Sequence, residues 1–114
     1  MTTPAADARL WYAQRLSAMV LALCVVAHLA TIVYASRGGL TAADILGRTR
    51  GSVAFAGFYA LFVVACAVHV PIGLRAIALE WLGWREPVTN ATAIGIAVVI
   101  AFLGLRAVVA VFAG

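Results

Sequence analysis

The sequence predicts an all-α membrane protein that has three transmembrane helices and a short interfacial helix between the first and the second. Composition is the first reason: 66% of the 114 residues are hydrophobic, only 11% are charged, and the mean hydropathy is +1.10. So little polar surface excludes a soluble globule. The second reason is that the apolar residues gather into three segments long enough to cross a bilayer. We expect a single membrane domain over residues 1–114.

The first predicted span covers residues 16–34 and is followed by a short helix. The span would measure about 28 Å as an α-helix, close to the hydrocarbon thickness of about 30 Å. Beyond it, Thr41 and Asp44 have the spacing of a capping box at a helix N-terminus. We therefore expect a short helix within residues 40–50 that lies on the membrane surface.

The second and third predicted spans cover residues 53–74 and 91–112. Pro71 is expected to kink the end of the second span, because proline removes one helical hydrogen bond. Thr89 or Asn90 is expected to cap the third span, since both residue types favour that position.

The arginines, glycines and cysteines constrain the predicted fold and function less than the apolar segments do. All eight basic residues are arginines near span edges, and the net charge of +4 includes no patch typical of nucleic-acid binding. The arginines divide almost evenly between the two sides, so charge alone does not fix the orientation. Gly95 and Gly104 are expected to allow close helix packing. Cys24 and Cys66 lack zinc-type spacing and are expected to be packing residues.

One histidine lies inside each of the first two spans, namely His28 and His69. A titratable ring in the hydrocarbon region is costly unless it is paired, ligates a metal or lines a wet path. A proton relay would need deep carboxylates and a zinc site would need more ligands, whereas haem needs only one or two imidazoles and a cleft. Small residues near His69, such as Gly73, would leave room for a porphyrin. The alternative is an interhelical hydrogen bond without chemistry.

The two histidines are expected at different depths. In antiparallel spans, His28 would lie about 18 Å from the side where the first span begins, and His69 about 8 Å from that side. This difference of about 10 Å is too large for two axial ligands of one iron. We therefore expect any second imidazole to come from another chain, with His28 and His69 serving two haems.

Two sequence motifs resemble those of a known family. The segment from His69 to Glu80 (HVPIGLRAIALE) resembles the His-x-x-x-Gly-Ile-Arg-His-x-x-x-Asp signature of the cytochrome b anchor subunits of succinate dehydrogenases and fumarate reductases. The segment from Gln14 to Ala18 (QRLSA) is similar to the His-Arg-x-Ser-Gly entry to the first span of that family. The resemblance implies a three-span membrane anchor and covers most of the chain.

The resemblance also implies roles for particular residues. His69 would be an axial ligand of haem b, and Arg15 and Ser17 would lie near a quinone pocket beside the iron–sulfur subunit. The family signature has histidines where this chain has Gln14 and Ala76, so the contacts of those histidines are not carried over.

His28 is similar to the first-span histidine of the two-haem members of this family, in which it serves the distal haem. In such proteins the partner histidines come from a second, similar half. This chain is therefore expected to pair with a related anchor subunit or with its own copy. Arg75, at the membrane edge, would pair with a haem propionate or serve simply as a positive anchor.

The implied function is electron transfer without catalysis on the dicarboxylate. The chain would hold a flavoprotein and an iron–sulfur subunit on a bacterial cytoplasmic membrane, with its N-terminus on the cytoplasmic side, and would exchange their electrons with quinone. One or two haem b groups would be shared with the partner chain. The alternative is a haem-free structural membrane subunit or a small transporter component.

Overall fold

The computed structural model describes residues 3–114 and confirms the predicted fold class. Three helices are long and apolar enough to cross a membrane, and a short helix connects the first and second of them. The helices are α1 (Pro4–Arg37), α2 (Ala42–Thr49), α3 (Val53–Glu80) and α4 (Glu86–Ala113).

The helix α1 is longer than the apolar segment from which it was predicted. It begins at Pro4, where proline suits the first helical turn, and the Thr3 side chain accepts a hydrogen bond from the backbone N–H of Ala6. Its 34 residues make a helix about 51 Å long, equal to the 51 Å long dimension of the molecule. Several turns of α1 therefore extend beyond the hydrocarbon layer.

The short helix α2 is capped as predicted and is attached to the end of α4. The Thr41 side chain accepts from the backbone N–H of Asp44, and the Asp44 carboxylate accepts from the Thr41 backbone N–H at 2.9 Å. At the other end, the Thr49 hydroxyl donates to the Val111 carbonyl at 3.0 Å. The helix α2 therefore covers one end of the bundle.

The later helices extend beyond the predicted spans. The helix α3 continues through Pro71 as far as Glu80, and the kink expected at Pro71 stays a prediction. The predicted cap of α4 was wrong: the helix begins at Glu86, with Pro87 in its first turn. Thr89 lies inside that turn and donates its hydroxyl proton to the Arg85 carbonyl. Proline at a helix start has a suitable φ and no N–H to satisfy, so α4 begins before the polar pair that suggested a cap.

The helix α3 is the centre of the molecule and packs against both α1 and α4. The closest approach to α4 is at Gly104, where an added Cβ would lie 2.5 Å from Cγ1 of Val63. Close packing at Gly104 is thus confirmed, whereas Gly95 has open space beside it. Most large apolar side chains of the spans are exposed, as expected for surfaces that face lipid.

Candidate functional site

The His69 ring lies against α1 beside a buried serine. Nδ1 of His69 is 3.4 Å from the hydroxyl oxygen of Ser17, and that hydroxyl is 3.1 Å from the carbonyl oxygen of Gln14. Ser17 is one of the few buried polar residues of the chain, with 5% of its surface exposed. The three groups form a short polar line between the N-terminal half of α1 and the C-terminal half of α3.

This polar line favours one tautomer of His69. A serine hydroxyl has a single proton, and in this geometry it is donated to the Gln14 carbonyl. The hydroxyl oxygen is then left to accept, and a hydrogen bond from His69 to it requires the tautomer that carries its proton on Nδ1. Nε2 consequently keeps its lone pair, which is the state required of a metal-ligating imidazole.

Gly73 lies one turn after His69, and the space beside it is occupied by a side chain of this chain. A Cβ added to Gly73 would lie 3.2 Å from Nε2 of Gln14. The side-chain oxygen of Gln14 is buried without a hydrogen-bond partner within residues 3–114. Gly73 therefore makes room for a polar side chain from α1.

His28 lies in an aromatic setting on the other half of the α1–α3 interface. The rings of Tyr59 and Phe62 stand edge-on to the imidazole, with centroids 5.8 Å and 5.7 Å from it. Nδ1 of His28 is buried and has no hydrogen-bond partner in the part of the chain that the structure describes. A buried imidazole nitrogen without a partner is costly, so a partner from outside these residues is expected.

Two adjoining cavities meet at His28. One, of about 340 Å³, lies among α1, α2 and α3, and the other, of about 320 Å³, extends towards α4. Both are lined by His28, Tyr59, Ile45 and Thr49, and their walls are mainly apolar. The helix α2 supplies Ile45 and Thr49, so it forms part of the wall of both cavities.

The contacts of the two histidines place them far apart along the bundle. His69 meets Ser17, which is eleven residues before His28 on α1, or about 16 Å along the helix. His28 meets Phe62, which is seven residues before His69 on α3, or about 10 Å. Helices α1 and α3 are therefore antiparallel, and the two imidazoles of one chain do not converge on a single ion.

The two arginines expected near a cofactor contact other side chains of the described chain. The Arg15 guanidinium lies 5.4 Å from the centroid of the Trp11 ring and is exposed, so the structure brings Ser17, and not Arg15, against His69. Arg75 donates from Nε to the side-chain oxygen of Asn90 at 2.7 Å and lies 3.6 Å from Glu86. Its nearest polar partners thus belong to α4.

The donor sets fit axial ligation by imidazole, which is how proteins hold haem b. At His69 the supporting hydrogen bond through Ser17 is already present within the chain. His28 lines adjoining cavities with apolar walls, and its Nδ1 is buried without a hydrogen-bond partner in the part of the chain that the structure describes. Within residues 3–114 no three metal-binding side chains come together, so a closed zinc-type site is absent from this part of the chain.

Sequence reasoning missed the surroundings of His28. Tyr59 and the α2 residues of its cavities were not expected there, because their proximity depends on the antiparallel register of α1 and α3 and on where α2 docks. The motif-like spacing of Gln14 and Ser17 was the signal for the His69 cluster. For His28, the signal was the depth of each residue in its span. Aligning the two antiparallel spans by depth would have brought His28 level with residues near Tyr59.

The comparison with protein families agrees with this arrangement of helices and histidines. The chain matches the family model described as succinate dehydrogenase/fumarate reductase transmembrane subunit over residues 1–110, a range that includes both histidines. No protein of curated function and no solved structure matches it. The match extends over nearly the whole chain, and the chain therefore belongs to the family of transmembrane subunits that anchor succinate dehydrogenases and fumarate reductases in the membrane.

Proposed function

We propose that this anchor subunit binds haem b through His69 and passes electrons between the iron–sulfur subunit of its complex and membrane quinone. The observation that carries the proposal is the line from His69 through Ser17 to the Gln14 carbonyl. It holds the imidazole in the tautomer that leaves Nε2 free to ligate. When bound, haem b supplies a one-electron iron couple.

The same proposal assigns His28 to a second haem at the other depth. Its support is the unpartnered Nδ1, the edge-on aromatic rings and the adjoining cavities. Because His28 and His69 lie about 10–16 Å apart along the helices, each needs its second axial imidazole from elsewhere. A related anchor chain, or a second copy of this one, would provide it.

Quinone binding is proposed at the rim of the His69 site. Ser17 would donate to a quinone oxygen only when its proton is released from the Gln14 carbonyl, because the hydroxyl has one proton. Arg15 would act at the exposed edge, with Trp11 beneath its guanidinium. Arg75 has donors not used by Asn90 and Glu86, and these remain for a propionate or for simple anchoring.

The catalytic flavoprotein and iron–sulfur subunits are proposed to bind on the side that carries the N-terminus of α1. The proposal places that side in the cytoplasm of a bacterium. No chemistry on succinate or fumarate is assigned to this chain, because its polar groups serve the helices and the two histidines.

The test is a visible spectrum of the complex purified from native membranes, together with the His69→Ala and His28→Ala variants. We expect a b-type spectrum in the native complex, and each variant should lose a different haem component. Absence of a b-type band in the native complex would refute the proposal and favour a haem-free structural subunit. Loss of the same component in both variants would refute the assignment of two haems.

A further inference from the structure

The larger of the two cavities at His28 is lined by both an imidazole and a guanidinium. Among the residues that line its volume of about 340 Å³ are His28, Tyr34 and Arg48. Tyr34 lies six residues beyond His28 on α1, or about 9 Å nearer the end of the helix that α2 covers. Arg48 comes from the last turn of α2. The rest of the wall is mainly apolar and aromatic.

The position of Arg48 is set by contacts on two sides. Its guanidinium carbon lies 5.5 Å from the centroid of the Tyr34 ring, and Nη1 donates to the Tyr34 hydroxyl at 3.4 Å. The helix that carries it is fixed at its start by the Thr41 capping box and at its end by the bond from Thr49 to α4. The guanidinium is therefore held at the mouth of the cavity that contains His28.

Within residues 3–114 Arg48 forms no salt bridge, and its charge is the last of the causes that lower the pKa of Asp44, one turn earlier on α2. The hydrogen bonds to the Asp44 carboxylate come from Thr41. A guanidinium has five N–H donors in a fork that matches a carboxylate, and only one of those of Arg48 has a partner in the described chain. Arg48 can thus accept an anionic group from outside the chain.

A ligand that suits this cavity has an atom that binds imidazole, a flat apolar body and a carboxylate. We infer that Arg48 binds a propionate of the haem proposed at His28, and that Tyr34 holds Arg48 in position for it. The inference rests on the proposed function, because it requires that haem. Its basis is the common cavity of His28 and Arg48 and the unused donors of the guanidinium.

The expected consequence is electrostatic. A guanidinium beside a propionate offsets its negative charge, which would otherwise stabilise the oxidised iron. Removing the positive charge should therefore move the midpoint potential of the His28 haem to a more negative value. It should also raise the pKa of the propionate, so the potential would become dependent on pH in a higher pH range.

The experiment is a potentiometric titration of the whole purified complex, followed by absorbance, with Arg48→Gln compared with Arg37→Gln. Both substitutions remove one arginine charge near the same end of the bundle, but Arg37 does not line the cavity. The relevant haem component is the one that His28→Ala abolishes. We expect Arg48→Gln to shift its midpoint potential to a more negative value, and Arg37→Gln to leave that potential unchanged. Tyr34→Phe, which removes the hydroxyl that accepts from Arg48, should give a smaller shift in the same direction.

Equal midpoints in Arg48→Gln and Arg37→Gln, with the His28 component retained, would overturn the inference and leave the proposed function intact. If Arg48→Gln failed to assemble, Arg48→Met would decide, because it also removes the charge and keeps a long, flexible side chain. A midpoint of Arg48→Met equal to that of the native complex would then overturn the inference. A native complex without any haem component that depends on His28 would overturn both the inference and the two-haem assignment.

Discussion

Ser17 connects the sequence motif to the electronic state of His69. Its hydroxyl oxygen lies 3.4 Å from Nδ1 of the ring and 3.1 Å from the Gln14 carbonyl oxygen. A hydrogen-bond acceptor at Nδ1 makes an imidazole a stronger electron donor through Nε2, and loss of such support in metal sites costs about tenfold or more in affinity. The role of Ser17 as support for His69 can therefore be separated from a role in quinone binding.

We expect Ser17→Ala to weaken retention of the His69 haem by about tenfold and to shift its midpoint to a more positive potential. The matched variant is Ser17→Thr, which keeps the hydroxyl and should preserve both properties. Haem titration and potentiometry measure the effect, and the KM for quinone is measured in parallel. If only the KM for quinone changed, Ser17 would be a quinone contact and not a support for His69.

At the scale of the helices, Gly104 sets the distance between α3 and α4. An added Cβ would lie 2.5 Å from Cγ1 and 3.2 Å from Cβ of Val63, so rotation of the valine side chain would not remove the clash. We expect Gly104→Ala to lower stability by about 1–3 kcal/mol, the usual cost of overpacking. Thermal unfolding of the complex in detergent measures this loss.

Gly95 provides the control on the same helix, because nothing lies within 4 Å of the Cβ that alanine would add there. Gly95→Ala should be neutral or slightly stabilising, since alanine favours a helix more than glycine does. Val63→Ala should relieve the strain when combined with Gly104→Ala. Equal thermal stabilities for Gly104→Ala and Gly95→Ala would contradict the close packing of α3 and α4.

The capping box of α2 makes a pH-dependent contribution to the stability of that helix. The hydrogen bond from the Thr41 backbone, followed by that from the Thr41 hydroxyl, lowers the pKa of Asp44 below its ordinary value. Because the pKa of Asp44 is lowered in the folded protein, the stabilisation by its carboxylate is complete above about pH 4, the ordinary pKa of aspartate. The stabilisation is lost as the pH falls through the lower pKa of the folded protein. Amide hydrogen exchange of α2 between pH 2 and 7 should show this loss.

Thr41→Ala should destabilise α2 by about 1 kcal/mol at neutral pH, because it removes a helix N-cap. Asp44→Asn should remove most of the pH dependence while keeping a side chain of similar size. The amide protection of α2 is compared at low and neutral pH in Asp44→Asn and in the native chain. If it did not differ between the two chains, the capping box would not be the source of the pH dependence.

Hydropathy and capping signals were sufficient to predict the helices, although not all of their ends. The pair Thr41 and Asp44 predicted α2 correctly because capping is local in sequence. The start of α4 was wrong because Pro87, interpreted as part of a connector, is also well suited to a first helical turn. The start of α1 was placed too late because hydropathy detects only the part of a helix that faces lipid.

The candidate sites depend on contacts between helices, which local sequence patterns do not predict. The resemblance assigned roles to both Ser17 and His69, but it did not predict the contact between them. The position of Arg48 above the cavity of His28 depends on the docking of α2, which no local pattern encodes. Contacts between elements arise from packing and register, and these become visible only when the helices are assembled.

For the molecule as a whole, the proposed haem binding would require a second anchor chain, because the two histidines lie far apart. Along the antiparallel helices the imidazoles lie about 10–16 Å apart, and the part of the chain that the structure describes contains no further histidine. A b-type iron with two imidazole ligands therefore needs one ligand from another chain. The exposed apolar faces of the spans provide ample surface for such a contact.

We expect the native complex to contain two anchor chains for each flavoprotein subunit, either two copies of this chain or this chain and a related one. Native mass spectrometry of the complex, released from detergent, would give the number of anchor chains, and peptide sequencing would identify the second. The matched control is the His28→Ala, His69→Ala double variant, which should keep the same subunits if helix packing, and not haem, holds the anchors together. One anchor chain per complex, together with a bis-imidazole spectrum, would contradict the sharing of ligands between chains, because this chain would then have to supply both imidazoles to one iron.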